Sequence, residues 1–296
     1  MAGTGKKWLI GCGLGCGFFI ALGLGLGAAG WYGVRHVARR AESIEATSDS
    51  LAVRFGPPES YAPPADGSLP ADRLEAFLEA RRLMEPVRER TSKTLAVLDG
   101  SGGSGVPARI AAGVNFVPQM LKFIEERDRA LLAAGIGPGE YQYVYTVAYF
   151  GLLGKDPGDG PGFMVSGSGD GGEGRDWSER GWTFSTSSEG GGTDESKRET
   201  VRREREIALR EELNHAQREN LRLQLAALDA AGGKPAPWRA ALAAELEALD
   251  NERRRCAWEQ GLPEATRASL EPFRDRFEAS YDAMTGALEL HLNADE

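Results

Sequence analysis

The sequence predicts an all-α protein: a single N-terminal transmembrane helix, then a helical-bundle soluble domain interrupted by a disordered glycine- and aspartate-rich insertion. Three observations predict it. Trp8 to Val34 is a run without charge in a chain that is 27% charged. Apolar residues recur three and four apart through much of residues 70–153 and 197–296, the period of an amphipathic helix. Residues 154–196 hold thirteen glycines and nine acidic residues against three basic ones, with few aliphatic side chains to bury.

Residues 1–7 form a short tail ending in Lys6 and Lys7, and residues 8–34 form the transmembrane segment. At about 1.5 Å per residue this segment is long enough for a hydrocarbon layer about 30 Å thick. Trp8 at one end and Trp31 and Tyr32 at the other match the headgroup preference of amphipathic rings, and Lys6, Lys7, Arg35, Arg39 and Arg40 flank them. Cys12 stands in a lipoprotein-like Leu9-Ile10-Gly11-Cys12 context, but only Trp8, Leu9 and Ile10 precede it as an apolar region. Cleavage at the small residues Gly27, Ala28 and Ala29 is the alternative to a retained anchor, and it would release a secreted or periplasmic helical ligand-binding protein. The short tail before the apolar run reads as a signal anchor, with the N-terminus cytoplasmic and the soluble domain outside. Cys12, Cys16, Gly23, Gly27 and Gly30 fall along one helical stripe of small residues, a candidate face for self-association in the membrane.

Residues 35–69 are juxtamembrane and proline-rich, with Pro57, Pro58, Pro63 and Pro64 favouring an extended stalk or a strap laid over the domain. The first helical part of the domain, 70–153, opens with Pro70 in a first turn and Leu74, Phe77, Leu78, Met84 and Val87 near helical spacing; Pro86 is expected to kink or end that helix. Residues 107–134 carry the clearest amphipathic pattern, through Ile110, Val114, Val117, Leu121, Ile124 and Leu131. The segment from Gly137 to Gly154 would be apolar nearly all round as a helix and is expected at the centre of the core. Its Tyr141, Tyr143 and Tyr145 admit two readings, core packing or a binding surface of phenol rings. Glu140 in the first turn complements the helix dipole.

The insertion, 154–196, is expected to be disordered, with Phe163, Trp177, Trp182 and Phe184 as possible docking points. The second helical part, 197–296, begins with a charged helix whose Leu209, Leu213, Ala216, Asn220, Leu223 and Ala227 form a stripe. Asn220 there resembles the register-fixing polar residue of a coiled coil, although the apolar heptads are too few and intramolecular packing is expected. A turn before Pro237 starts a return helix bearing Leu242, Leu246, Leu249 and Cys256, and a last helix is expected over roughly 269–292 with Ser269 as N-cap.

The net charge of −9 and the interspersed basic residues offer no stripe for a phosphate backbone, so nucleic acid is not an expected partner. Cys256 is the one cysteine outside the apolar run and reads as a small core residue. His36, His215 and His291 lie far apart in the chain, and no metalloprotease, phosphate-loop or nucleophile-elbow motif occurs. No catalytic, metal or cofactor residues are therefore expected, and Glu–Arg interleaving such as that of residues 202–213 reads as a solvated face. The expected function is protein binding or assembly at the membrane. The partners would be the lipid bilayer, a second copy through the transmembrane helix, and an unknown protein.

Overall fold

The computed structural model describes residues 44, 46–99, 105–161, 164–168, 181–185, 194–232, 236–251 and 253–290. The transmembrane segment, and with it Cys12, Cys16, Gly23, Gly27 and Gly30, lies outside the described residues. Among the described residues, no helix is long and apolar enough to cross a membrane.

The described residues are overwhelmingly helical. The helices are α1 (46–55), α2 (Ala71–Asp99), α3 (Val106–Ala134), α4 (Pro138–Tyr145), α5 (Asp194–Ala230), α6 (Ala236–Asp250), α7 (Glu264–Leu270), α8 (Arg274–Ser280) and α9 (Ala283–Leu290). A π-helix, Thr146–Leu152, continues α4. One finding departs from the all-α expectation: within the segment expected to be disordered, β1 (Met164–Ser168) and β2 (Gly181–Ser185) pair antiparallel, with Ser166 opposite Thr183. In β2, Gly181, Thr183 and Ser185 alternate with Trp182 and Phe184, a period of two that suits a strand better than a helix. Residues 154–161 are also held in place. Arg202 pairs with Asp156, and Arg205 donates to the carbonyls of Gly158, at 2.9 Å, and of Pro161.

α2 and α3 form a long antiparallel hairpin. α2 runs unbroken through Pro86. The missing N–H costs one ladder bond, and packing along both sides of the proline outweighs it. At the tip of the hairpin Leu95, Phe116 and Met120 make a small second core. The main core surrounds α4 and the π-helix, where every residue from Pro138 to Phe150 is buried, as a helix apolar all round requires.

Gly56, at φ +75°, ends α1, and the chain then crosses the domain as a strap. A strap rich in proline has carbonyls to satisfy and few N–H groups of its own. α5 and α6 supply the donors: Asn220 Nδ2 reaches the oxygens of Pro58 (3.1 Å) and Tyr61 (2.8 Å), Gln224 Nε2 that of Pro64 (2.7 Å), and Trp238 Nε1 that of Ala65 (2.8 Å). The buried face of α5 includes Leu213, Ala216, Gln217, Asn220, Leu221, Gln224 and Leu228; of the expected stripe Leu213, Ala216 and Asn220 are buried, while Leu223 and Ala227 are exposed. The apolar count loses the phase after Asn220 because the helix buries amides. Replacing Asn220 by Leu is expected to cost about 2 kcal/mol in a urea titration, since two carbonyls lose their donor. A loss near zero would show that the strap is not held there.

Cys256 lies beyond α6, in a loop that plugs Cys256, Ala257 and Trp258 into the core. Trp258 has φ +63°, and this unusual backbone is fastened by Glu245 Oε1, which accepts its N–H at 2.7 Å. Gln217 bridges the plug to the π-helix: its Oε1 accepts from Ala257 N at 2.6 Å and its Nε2 donates to Thr146 Oγ1 at 3.0 Å. The expected last helix is split. α7 starts before Ser269, which is not its cap but accepts Leu69 N–H at 3.0 Å. Pro272 sits in a 3-10 turn, and Asp282 caps α9 through Met284 N at 2.9 Å.

Candidate functional site

α2 carries two arginines on its buried face, Arg81 and Arg88, seven residues apart and in phase with Leu74, Phe77, Leu78 and Met84. Both point at Glu289 of α9. Arg81 Nη1 pairs with Glu289 Oε2, and both side chains are 0% exposed. Arg88 Nε lies 2.9 Å from Glu289 Oε1, an ion pair without hydrogen-bond geometry. Tyr141 donates to Glu289 Oε2 at 2.7 Å, and Thr285 donates to Oε1 at 2.9 Å. The carbonyl of Ser280, at the C-terminal end of α8, accepts from Arg81 Nη2 at 2.6 Å and Arg88 Nη2 at 2.5 Å, where the helix dipole favours cations.

The aromatic wall beside these charges comes from the junction of α4 and the π-helix, where the rings of Tyr145 and Tyr149 meet edge to face at 4.5 Å. The Arg81 guanidinium lies over both, 5.3 Å from Tyr145 and 4.8 Å from Tyr149, in cation–π contact. Gly286 of α9 admits this packing: a Cβ there would sit 2.7 Å from the Tyr145 hydroxyl.

Burial alone would raise the Glu289 carboxyl, but Arg81, Arg88 and the bonds from Tyr141 and Thr285 hold it below the ordinary carboxylate range. Burial opposes the charge on Arg81, and Glu289 with the surrounding tyrosines keeps it firmly protonated. Burial pushes the Tyr141 hydroxyl up, keeping it a donor at every ordinary pH. Burial likewise raises the Cys256 thiol, leaving a neutral core residue rather than a nucleophile.

Above Arg81 and Arg88 a groove of about 620 Å³ opens between α2 and the end of α8. Ser280, Tyr281 and Asp282 form part of its wall. Charged groups along it pair with one another: Glu75 with Arg276 at 2.6 Å, Glu79 with Arg82 at 2.6 Å, and Glu89 with Lys93 at 2.6 Å. Among the described residues, no cluster of three or more metal-ligating side chains occurs.

The tyrosines expected as a binding surface are at 0%, 2% and 1% exposure for Tyr141, Tyr143 and Tyr145. They present no surface, because α4 is enclosed on every side; this corrects the binding-surface reading of these three residues. They are not equivalent either. Tyr141→Phe removes a donor to a buried carboxylate and is expected to cost about 1.5–3 kcal/mol, against about 1 kcal/mol or less for Tyr143→Phe, in parallel urea titrations. Equal losses would contradict the role assigned to Tyr141. Glu140 is held by Arg73, whose Nε donates at 2.7 Å, so its first-turn charge is also a tertiary contact.

Arg81, Arg88 and Glu289 were missed as site residues. Their signal was available: two arginines in the core phase of an amphipathic helix demand a buried counter-charge. Compared with family models, curated proteins and solved structures, the chain matches none of them.

Proposed function

We propose that this protein is a single-pass membrane-anchored binding protein. Residues 8–34 hold it in the bilayer, the helical domain stands on the extracytoplasmic side, and the groove between α2 and α8 receives a segment of a partner protein. The observation that carries this reading is the groove itself. Its size suits a small bound segment, and six of its charged groups are paired with one another rather than poised for acid–base chemistry. The strap adds support. Pinned by Asn220, Gln224 and Trp238, it fixes where the chain from the anchor meets the domain, which a free linker would not do. The stripe of Cys12, Cys16, Gly23, Gly27 and Gly30 would bring two such domains side by side.

Carbonate extraction and N-terminal sequencing test the anchor: retention in the membrane pellet with an intact N-terminus supports it, and soluble protein beginning near Gly30 replaces it with the secreted ligand binder. Alkaline phosphatase fused after Glu296 reports the side of the membrane, and an inactive fusion reverses the orientation. For the groove, Arg82→Glu with Arg276→Glu is expected to reduce partner recovery from detergent extracts at least tenfold with an unchanged unfolding midpoint. Unchanged recovery moves the binding surface elsewhere.

A further inference from the structure

The floor of the groove holds an unbalanced charge. Arg81 and Arg88 place two guanidiniums there, and Glu289 is the one carboxylate paired with them. A buried cation without a counter-charge is costly, and the partial charge on the Ser280 carbonyl does not neutralise it. Arg88 shows the consequence. Its Nη2 donates to Ser280 O, its Nε has no hydrogen bond, and its Nη1 meets no acceptor among the described residues. Arg88 lines the groove with 8% of its side chain exposed, so the excess charge meets a ligand there and not at the fully enclosed Arg81. Around the rim the balance is reversed, with five acidic groups lining it against three basic ones. Glu85 and Asp282 are the rim acids outside any salt bridge among the described residues, and Asp282 is engaged with Met284 N and Ser92.

Resting on the groove reading above, we infer that the groove binds the C-terminal end of a peptide, its terminal carboxylate on Arg88 beside Arg81 and a basic side chain near the end against Glu85 and Asp282. A carboxylate carries one negative charge, which matches the excess of one at the floor. A phosphate, with about −1.5 to −2, would exceed it under an acidic rim. With Nη2 on Ser280 and Nε beside Glu289, Arg88 Nη1 is the donor left to meet a carboxylate oxygen in a charge-assisted bond. A chain terminus also reaches a floor walled by α2 and α8 more readily than an internal acidic side chain, which must bring backbone on both sides with it.

The test uses the full-length protein in detergent micelles, incubated with an equimolar pool of random octapeptides in which each sequence is present as the free acid and as the C-terminal amide. The retained peptides are read by mass spectrometry. Acids retained at least tenfold over amides, with Lys or Arg enriched in the last three positions, are the expected result. Arg88→Gln abolishes the acid preference, and Glu85→Lys, on an exposed residue, removes the basic enrichment while leaving the acid preference. Equal retention of acids and amides overturns the carboxylate site and leaves the groove reading standing, whereas retention of neither overturns both. An acid preference that survives in folded Arg88→Gln also overturns the site. Should Arg88→Gln not fold, Arg88→Met decides: it keeps the apolar stem but loses the charge, and an undiminished preference in the folded variant counts against the assignment.

Discussion

Replacing Glu289 by alanine is expected to lower the unfolding free energy by about 3–5 kcal/mol, because it leaves Arg81 and Arg88 buried with no carboxylate between them. The urea midpoint measures it, and a loss under about 1 kcal/mol would mean that α9 is held to α2 by apolar contact alone. The same residue sets an acid limit. Its folded-state carboxyl titrates below the ordinary 4.5, so the unfolded chain takes up the proton first as pH falls. The stabilisation is complete above pH 4.5 and is lost as pH drops through the lower folded value. The wild-type stability curve is therefore expected to fall more steeply below that pH than the curve of Glu289→Gln. Parallel curves would remove Glu289 as the responsible group.

The second large effect is expected from one methyl group. In Gly139→Ala the new Cβ would stand 2.2 Å from the Pro58 carbonyl oxygen. That oxygen belongs to backbone and is itself fastened to Asn220, so neither side gives way cheaply. A loss of about 3 kcal/mol is expected, the upper end of ordinary overpacking, together with faster proteolysis between α1 and α2 as the strap lifts. If stability falls but cleavage in the strap does not increase, the strain is taken up by α4 instead. Combining Gly139→Ala with Asn220→Leu separates these outcomes: both act on the Pro58 carbonyl, so their losses should not add.

Periodicity was a good guide where helices bury hydrocarbon. α3 runs over Val106–Ala134, close to the expected 107–134, and the nearly all-apolar segment after Gly137 lies at the centre of the core. It failed where helices bury polar groups for a tertiary reason. On α5 the buried stripe includes Asn220 and Gln224, whose acceptors lie in a strap about 160 residues earlier, and Gln217, which bonds Thr146 and Ala257. An apolar tally therefore chose Leu223 and Ala227, which face solvent. Asn220 looked like a coiled-coil register residue because an isolated polar residue in a stripe has the same signature whether its partner is another helix or a proline-rich backbone. The described first part of the insertion, residues 154–161, departs from the expectation for a related reason. Glycine and acidic composition report how little apolar surface a segment can bury, but not that Arg202 and Arg205 reach its carbonyls and carboxylates from the next helix.

The candidate site shows the same division. Arg81 and Arg88 stood in the core phase of α2 in the primary sequence, so that two buried cations existed was legible. Which carboxylate met them was not, since Glu289 lies about 200 residues away in a helix whose start depends on the break at Tyr281 and Asp282. By itself the sequence determined what depends on neighbours along the chain: the helical character of the domain, the uncharged run before it, the proline strap and the central tyrosine helix. Only the tertiary structure decided which polar groups are satisfied by which, because a buried amide or charge is stabilised by whatever acceptor the fold brings to it, however distant in sequence.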